Sequence, residues 1–165
     1  GPRVQLLGSG AILNEVIAAA DLLKKDWGIE ADIWSCPSFT LLARDGEDAA
    51  RWNLLHPTAT PRKSYVEQCL ENTEGPVIAS TDYVRAFADQ IRPFVPHRYK
   101  VLGTDGFGRS DTREKLRHFF EVDRKWVTVA ALSSLAEEEK LDRAKVGEAI
   151  KKYSLDPEKP NPLTV

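Results

Sequence analysis

The sequence predicts an α/β fold, a three-layer sandwich with a mostly parallel sheet. Short apolar segments alternate with segments whose apolar residues recur every three to four positions, as strands alternate with helices in such folds. The 165 residues are 42% hydrophobic and 29% charged, which suits one soluble domain with one substantial core. We predict a single domain over residues 1–155 and a Pro-rich exposed tail over residues 156–165.

The first elements form a β-α-β unit. Residues 4–7 predict a buried strand, and a helix follows whose apolar face carries Ile12, Val16 and Leu23. Gly28 ends this helix, and residues 30–36 predict the second strand. Because a crossover helix joins the two strands, we expect them to be parallel.

The middle of the chain predicts two short helices and the third strand. Residues 37–61 predict helical pieces punctuated by Gly46, Pro57 and Pro61, and residues 45–55 predict one short helix with Trp52 and Leu55 facing inward. Ser64 and Glu67 form a capping-box pattern that opens a helix over residues 64–70. Residues 76–80 predict strand three.

The second half predicts one more strand and several helices. Helices are expected over residues 83–91, 112–119 and 145–153, with strand four at residues 99–102. Asp123 is expected to cap a further helix with an apolar stripe of Trp126, Val129, Ala130 and Ala136. A fifth strand is left open, either at residues 125–128 or in the Pro-rich middle.

Composition excludes several classes of protein. The 23 basic and 25 acidic residues give a net charge of −2, which lacks the basic excess expected of a nucleic-acid-binding protein. Apolar runs fall short of the roughly 18–20 residues of a membrane span, and the first residues lack a secretory pattern, so a cytoplasmic location is expected. The chain begins Gly1-Pro2 and has no methionine. Loss of an initiator methionine and a tag scar both explain this start, and a fragment of a longer protein is favoured.

The two cysteines, Cys36 and Cys69, are predicted to be reduced thiols in or near the core, because free cysteine behaves as a small hydrophobe. The sequence has no CxxC pair, and its three histidines are scattered, so no metal ligands are predicted.

Two glycine-containing loops follow predicted strands. Gly8-Ser9-Gly10 sits before a helix, where backbone amides favour an anion, but the third glycine of a dinucleotide motif is missing and a plain tight turn is favoured. The second loop, residues 103–108, contains Gly103, Gly106 and Gly108 and lacks the Lys-Ser/Thr ending of a P-loop.

The second loop is the better candidate for function. Strand ends of an open parallel sheet share one edge, where ligands and partners bind. We expect Asp82 and Tyr83, after strand three, to lie at that edge, with Thr81 or Asp82 capping the next helix. The interface candidates are Asp82, Tyr83, Asp105, Phe107, Arg109 and Ser110. A Ser110–His118–Asp123 triad lacks a nucleophile elbow, so no catalytic residue is predicted.

Several segments in a specific order carry a family resemblance. They are residues 4–10, 38–40 with 43–46, 51–53 with 55–57, 79–83, 102–123 and 156–163. The segment 102–123 contains Gly-Thr-Asp-Gly-Phe-Gly-Arg-Ser. The chain resembles the carboxy-terminal domain of thiamine-diphosphate enzymes of the transketolase superfamily, and especially that of the homodimeric decarboxylating component of bacterial pyruvate dehydrogenase complexes. The resemblance implies a transketolase carboxy-terminal-domain-like fold.

The resemblance also implies a role. Such enzymes bind thiamine diphosphate and magnesium between their first two domains, decarboxylate pyruvate and acetylate the lipoyl group of an acetyltransferase. No catalytic, cofactor or metal residue is therefore expected in this chain. Its implied partners are the remaining domains and second subunit of the parent enzyme, with the dihydrolipoyl acetyltransferase core as a further candidate. Two alternatives stay open: a stand-alone α/β interaction module, and the same domain of another superfamily member such as a transketolase.

Overall fold

The computed structural model describes residues 1–103 and 121–161. Four strands form one sheet in the order β2-β1-β3-β4, and every neighbouring pair is parallel. The strands are β1 (Arg3–Gly8), β2 (Glu30–Ser35), β3 (Val77–Ser80) and β4 (Tyr99–Leu102). The four predicted strands and their parallel pairing are confirmed.

Helices cover both faces of this sheet. One face carries α1 (Leu13–Trp27), α5 (Arg124–Glu137) and α6 (Arg143–Lys152), and the other carries α2 (Phe39–Leu55), α3 (Tyr65–Leu70) and α4 (Arg85–Asp89). Side chains alternate along the strands, so Leu6 enters the α1/α5 core while Leu7 enters the α2/α3 core. The three-layer α/β sandwich is confirmed.

The first crossover follows the sequence pattern closely. Ile12, Val16 and Leu23 are all fully buried, and α1 ends at Gly28, which adopts the left-handed conformation with φ of 66°. A glycine with positive φ is the usual end of a helix because it lacks the Cβ that would clash there. The predicted β-α-β unit is confirmed.

Helix α5 is more deeply buried than the sequence pattern suggested. Asp123 caps it as predicted, accepting a hydrogen bond from the Trp126 amide at 3.1 Å. Val129 and Ala130 of the predicted stripe are buried, whereas Trp126 and Ala136 are only half-buried, so the stripe described part of the buried face. The residues buried in α5 are Val127, Thr128, Val129, Ala130, Ala131, Leu132, Ser134 and Leu135. The helix lies between α1, α6 and the sheet, and a helix enclosed in this way shows no single apolar stripe.

Neither candidate location for a fifth strand contains one. Residues 125–128 belong to α5, and residues 56–64 contain neither strand nor helix. The Asp123 cap explains the first case, because it starts a helix immediately before the apolar run.

Helix α2 begins earlier than predicted and passes through Gly46. Ser38 caps it by accepting a hydrogen bond from the Leu41 amide at 3.1 Å. A Cβ at Gly46 would lie 2.5 Å from Cε2 of Phe94, so glycine makes room for that aromatic ring. The inward placement of Leu55 was wrong, since this side chain is exposed. Trp52 is half-buried and stacks between His56 and the Arg62 guanidinium.

The remaining helices differ mainly in length. The Ser64–Glu67 capping box is present at the start of α3, as predicted. Helix α4 is shorter than the predicted residues 83–91, because the chain stays extended at Val84 and a separate 3₁₀ turn containing a proline, Arg92–Phe94, follows. The helix predicted at residues 112–119 lies outside the described residues.

The last helix and the start of the tail close the α1 side. Helix α6 buries Ala149, with Val146 and Ile150 packed against the same core, as predicted. Leu155 is buried, whereas residues 156–158 are exposed. Lys159 is half-buried, and its ammonium lies 3.8 Å from a Glu121 carboxylate oxygen and 5.5 Å from the centre of the Trp126 ring.

Candidate functional site

The carboxyl edge of the sheet brings together the loops after β1 and β3. The Ser9 hydroxyl donates to the Thr81 hydroxyl at 3.5 Å, and the Thr81 amide donates to the Leu102 carbonyl at 3.0 Å. Strand order reverses between β1 and β3, which is the point where open α/β sheets form a crevice. The loops that follow the strand ends therefore lie together at one edge, as predicted, and they connect the ends of β1, β3 and β4.

The Gly8-Ser9-Gly10 segment is the tight turn that the sequence favoured. A Cβ at Gly8 would lie 2.8 Å from Cγ2 of Val16, so glycine allows α1 to pack closely on the end of β1. Gly10 has a φ of 56° in the 3₁₀ turn Gly10–Ile12 that leads into α1. Close packing and turn geometry both explain these glycines without an anion.

The predicted cap of α4 was wrong. Val84 is the N-cap residue, and no side chain caps the helix. The Thr81 hydroxyl instead accepts a hydrogen bond from the Tyr83 amide at 3.1 Å, which stabilises a turn before the helix begins. This turn carries Tyr83 outward, where 61% of the residue is exposed and its ring meets the Phe87 ring edge-on at 5.9 Å.

The beginning of the glycine-rich loop contacts this turn. A Cβ at Gly103 would lie 2.6 Å from Cγ of Arg85 and 2.9 Å from the Tyr83 carbonyl oxygen. The two loops that the sequence assigned to one edge thus meet at Gly103. The candidates Asp105, Phe107, Arg109 and Ser110 lie outside the described residues, as does His118 of the rejected triad.

A groove on the α2/α3 side is a second candidate site, and the sequence did not indicate it. This thiol groove has a volume of about 520 Å³ and lies where β2 ends against α2 and α3. Its lining residues include Cys36, Leu41, Asp45, Tyr65, Cys69 and Ile91. The two cysteines are free thiols, as predicted, but they line one groove although 33 positions separate them.

The thiol groove is lined mainly by apolar side chains and two thiols, with one carboxylate, Asp45. Burial raises the pKa of the Cys36 thiol to about 12, and the nearby Cys69 sulfur acts in the same direction. The Asp45 carboxylate accepts a hydrogen bond from the Tyr65 amide at 2.6 Å, so it is engaged at the first turn of α3. A hydrogen bond to Cys69 raises the pKa of the Tyr65 hydroxyl. Cys36 therefore stays a neutral thiol at neutral pH.

The two thiols are expected to differ in reactivity. A pKa near 12, against an ordinary 9.0, leaves Cys36 with roughly a thousandfold less thiolate at pH 8, and thiolate is the form that is alkylated. We expect iodoacetamide at pH 8 to modify Cys69, which is half-exposed, and to modify Cys36 at least about 100-fold more slowly than a free cysteine. Peptide mass spectrometry over time measures both rates.

Denaturation provides the control for this prediction, because both thiols should then react at similar rates. Modification of Cys36 in the folded chain should increase as the pH is raised, since its thiolate fraction grows until the pKa is reached. Equal rates at the two cysteines in the folded chain at pH 8 would contradict the burial of Cys36.

Residues 1–103 and 121–161 provide neither a metal site nor a membrane span. Within these ranges no group of three or more His, Cys, Asp or Glu side chains is arranged to hold a metal ion. The helices in the same ranges are too short or too polar to span a bilayer. The described histidines bond to backbone carbonyls: His56 to that of Trp52, and His97 to that of Leu70.

An all-parallel sheet covered on both faces, with loops joined at its carboxyl edge, defines an open α/β domain. The model of the transketolase-like TK C-terminal domain family matches residues 1–123. The chain belongs to this family.

Proteins with similar sequences include several pyruvate dehydrogenase E1 components. The chain is 75% identical over 164 residues to the pyruvate dehydrogenase E1 component of Cupriavidus necator, covering 99% of this chain. Identities to the proteins of the same name from Pseudomonas aeruginosa and Escherichia coli K12 are 62% over 162 residues and 54% over 161 residues, covering 98% and 97% of this chain. The chain spans 18% of the length of each of these relatives.

Solved structures with low sequence identity support the fold. A split-gene transketolase, described as an inactive beta4 tetramer, superposes with a TM-score of 0.53 at 17% identity, over 82% of this chain and 40% of that one. A transketolase mutant from Pichia stipitis gives a TM-score of 0.56 at 16% identity, over 86% of this chain and 17% of that one. The transketolase C-terminal-like fold predicted from the sequence is confirmed.

Proposed function

We propose that the chain is the carboxy-terminal domain of a pyruvate dehydrogenase E1 component and that it serves assembly of that enzyme. The observation that carries the proposal is the 75% identity over 164 residues to a protein of that name. In this role the parent enzyme decarboxylates pyruvate with thiamine diphosphate and magnesium and acetylates the lipoyl group of the acetyltransferase. The proposal assigns that chemistry to the length of the relatives that lies outside this chain.

The carboxyl edge supports the assembly role. Tyr83 and Phe87 expose 61% and 45% of their surface, and aromatic side chains are enriched at protein interfaces. Tyr83 follows Asp82 in the turn that meets Gly103, and Phe87 lies just after it in α4. We propose that this edge, with Asp105, Phe107, Arg109 and Ser110 of the adjoining loop, contacts the remaining domains or the second subunit. The acetyltransferase core is the further candidate partner.

The alternatives differ in how well the comparisons favour them. A stand-alone interaction module has no specific support beyond the exposed edge. A transketolase origin rests on neighbours with 16% and 17% identity, which reflect the fold, whereas the pyruvate dehydrogenase relatives reach 75%. The higher identity favours the pyruvate dehydrogenase assignment.

The proposal predicts what the 165-residue chain does by itself. We expect the purified chain to fold, to bind no thiamine diphosphate with magnesium in calorimetry and to release no carbon dioxide from pyruvate, because the reacting groups belong to other domains. The complete parent enzyme, titrated under the same conditions, is the control and should bind the cofactor. Stoichiometric cofactor binding by the chain alone, or turnover of pyruvate, would contradict this division of roles.

A further inference from the structure

We propose that residues 155–159 form a strap, which holds residues 121–126 in place and thereby orders the carboxyl edge of the sheet. Lys159 is the positioning residue of this strap. The use of the edge for assembly rests on the proposed function, whereas the strap contact is a property of the fold. Three features support the inference: an anchored and turned strap, a segment whose backbone conformation needs contacts from outside, and a buried hydrogen bond from that segment to β3.

The strap begins at a fixed point after α6. The Leu155 amide donates to the Ile150 carbonyl at 3.0 Å, and Ser154, just before Leu155, has a φ of 56°. Helices commonly end in this way, with a left-handed residue followed by an apolar residue that packs back on the helix. Leu155 is buried in the core on the α1 side of the sheet, so the strap leaves the domain from a defined position.

A turn over residues 156–159 then reverses the direction of the strap. The Lys159 amide donates to the Asp156 carbonyl at 3.1 Å, and the Asp156 carboxylate accepts from the Glu158 amide at 2.9 Å. Pro157 occupies the second position of this turn, where its fixed φ is favourable. Residues 156–158 are exposed, whereas Lys159 is half-buried. The turn therefore directs the Lys159 side chain back towards the domain.

Lys159 contacts the segment that leads into α5. Its ammonium forms the ion pair with Glu121 at 3.8 Å and lies 5.5 Å from the centre of the Trp126 ring. The side chains of this ion pair are 20% and 27% exposed, so solvent screens the pair less than it screens a fully exposed one. The cation over the aromatic ring adds a second attraction at the same ammonium.

Residues 121–126 need such contacts to keep their conformation. Glu121 has a φ of 64°, a left-handed conformation that glutamate rarely adopts and that persists where the surroundings fix it. Glu15 holds the other end of the segment, because its carboxylate accepts from the Arg124 backbone amide at 3.0 Å and from the Arg124 guanidinium at 3.1 Å. Lys159 thus acts at the end where the backbone conformation is unfavourable.

A buried hydrogen bond joins this segment to the carboxyl edge. The Ser80 hydroxyl, at the end of β3, donates to the Val122 carbonyl at 2.9 Å, and both residues are fully buried. Val122 adjoins Glu121, and Ser80 adjoins Thr81, whose hydroxyl accepts from the Tyr83 amide in the turn at the edge. A shift at Glu121 would move the Val122 carbonyl away from Ser80, which is costly for a buried hydroxyl. The strap is therefore positioned to stabilise the turn that carries Tyr83.

Amide hydrogen exchange in the 165-residue chain, followed by mass spectrometry, tests the strap. Lys159→Gln removes the ammonium, so we expect the peptide covering residues 121–127 to exchange at least about threefold faster. The peptide covering residues 80–86 should exchange at least about twofold faster, because it shares the Ser80 hydrogen bond. Lys159→Arg keeps the positive charge and should retain the protection of both peptides.

Lys145→Gln is the matched control, because it removes a lysine from an ion pair with Glu148 within α6. It should leave both peptides unchanged. A chain that ends at Leu155 lacks the turn and Lys159, so it should lose at least as much protection as Lys159→Gln. The α2 peptide at residues 41–52 should exchange at its original rate in every variant, because α2 packs on the other face of the sheet.

The strap and the proposed function fail in different ways. Unchanged exchange of residues 121–127 in Lys159→Gln, or an equal increase in Lys145→Gln, would overturn the strap. An increase of the same size in the α2 peptide would indicate global destabilisation and would overturn it as well, and unchanged exchange of residues 80–86 would overturn its link to the edge. A natural parent polypeptide without pyruvate decarboxylation would overturn the proposed function and leave these exchange rates as they are.

Discussion

Replacing Gly75 by alanine is expected to lower the free energy of unfolding by at least about 4 kcal/mol, among the largest effects of a single substitution. Gly75 has a φ of 89°, and a Cβ built there would lie 1.6 Å from the Arg3 carbonyl oxygen and 2.7 Å from its carbonyl carbon. These are backbone atoms of β1, so they cannot rotate away as a side chain does. Relief of the clash requires β1 and the start of β3 to separate.

The separation would break a contact that sets the sheet register. The backbone amide of Gln5 donates to the carbonyl of Pro76, the residue immediately after Gly75, at 2.9 Å. Denaturant unfolding followed by circular dichroism measures the loss. Gly75→Asn separates the two causes, since asparagine tolerates positive φ better than alanine but carries the same clashing Cβ. We expect both variants to be strongly destabilised.

Two other glycines separate backbone conformation from crowding. Gly28 has a φ of 66°, and a Cβ added there would meet no atom within 4 Å, so Gly28→Ala should cost only about 1 kcal/mol. Gly147 lies in α6 with open space and no positive φ, so Gly147→Ala should stabilise by up to about 1 kcal/mol. A loss in Gly75→Ala no larger than that in Gly28→Ala would show that the close approach to Arg3 is unimportant.

Replacing Gln5 by leucine is expected to cost about 3 kcal/mol although the two side chains have similar size. Gln5 is fully buried in β1. Its side-chain nitrogen Nε2 donates to the Asp32 carboxylate at 2.8 Å and to the Glu74 backbone carbonyl at 3.0 Å. Its side-chain oxygen Oε1 accepts from the Trp34 indole at 2.8 Å. Leucine removes all three bonds at once, and each contributes about 1 kcal/mol. Asp32 keeps its ion pair with Arg3, so the Trp34 indole and the Glu74 carbonyl are the groups most affected.

A double-variant cycle tests this explanation. Trp34→Phe removes the indole donor, so Gln5→Leu combined with Trp34→Phe should lose less stability than the sum of the single variants, by at least about 0.5 kcal/mol. Unfolding in urea at neutral pH measures each free energy. Additive losses would mean that the indole bond is not coupled to Gln5, and a Gln5→Leu variant as stable as the original chain would refute the role of the network.

Local sequence signals predicted much of the fold. The strand at residues 99–102 and the Ser64 capping box depend on neighbouring residues, and the structure reproduces both. The end of α1 at Gly28 is equally local. The sequence predicted that Gly46 interrupts the helix, and this was wrong, because α2 continues through it. The glycine makes room for the Phe94 ring, which lies far along the chain and cannot be seen in a short window.

The candidate site shows the same division. Strand ends in a parallel sheet must share an edge, so the sequence could assign Tyr83 and the loop beginning at Gly103 to one region. It could not show that the Thr81 hydroxyl would form a turn with Tyr83 in place of capping α4, because both uses satisfy the same oxygen.

The sequence by itself determined the parallel β-α-β order and the four strands, since these depend on the spacing of apolar residues and on turn and cap residues close together in the chain. The family followed from the resemblance of several ordered segments. Only the tertiary structure decided that α5 would be enclosed on nearly all sides and that Cys36 and Cys69 would line one apolar groove. Both outcomes arise from packing between segments distant in sequence, where burial is fixed by which layers meet and not by the pattern within either segment.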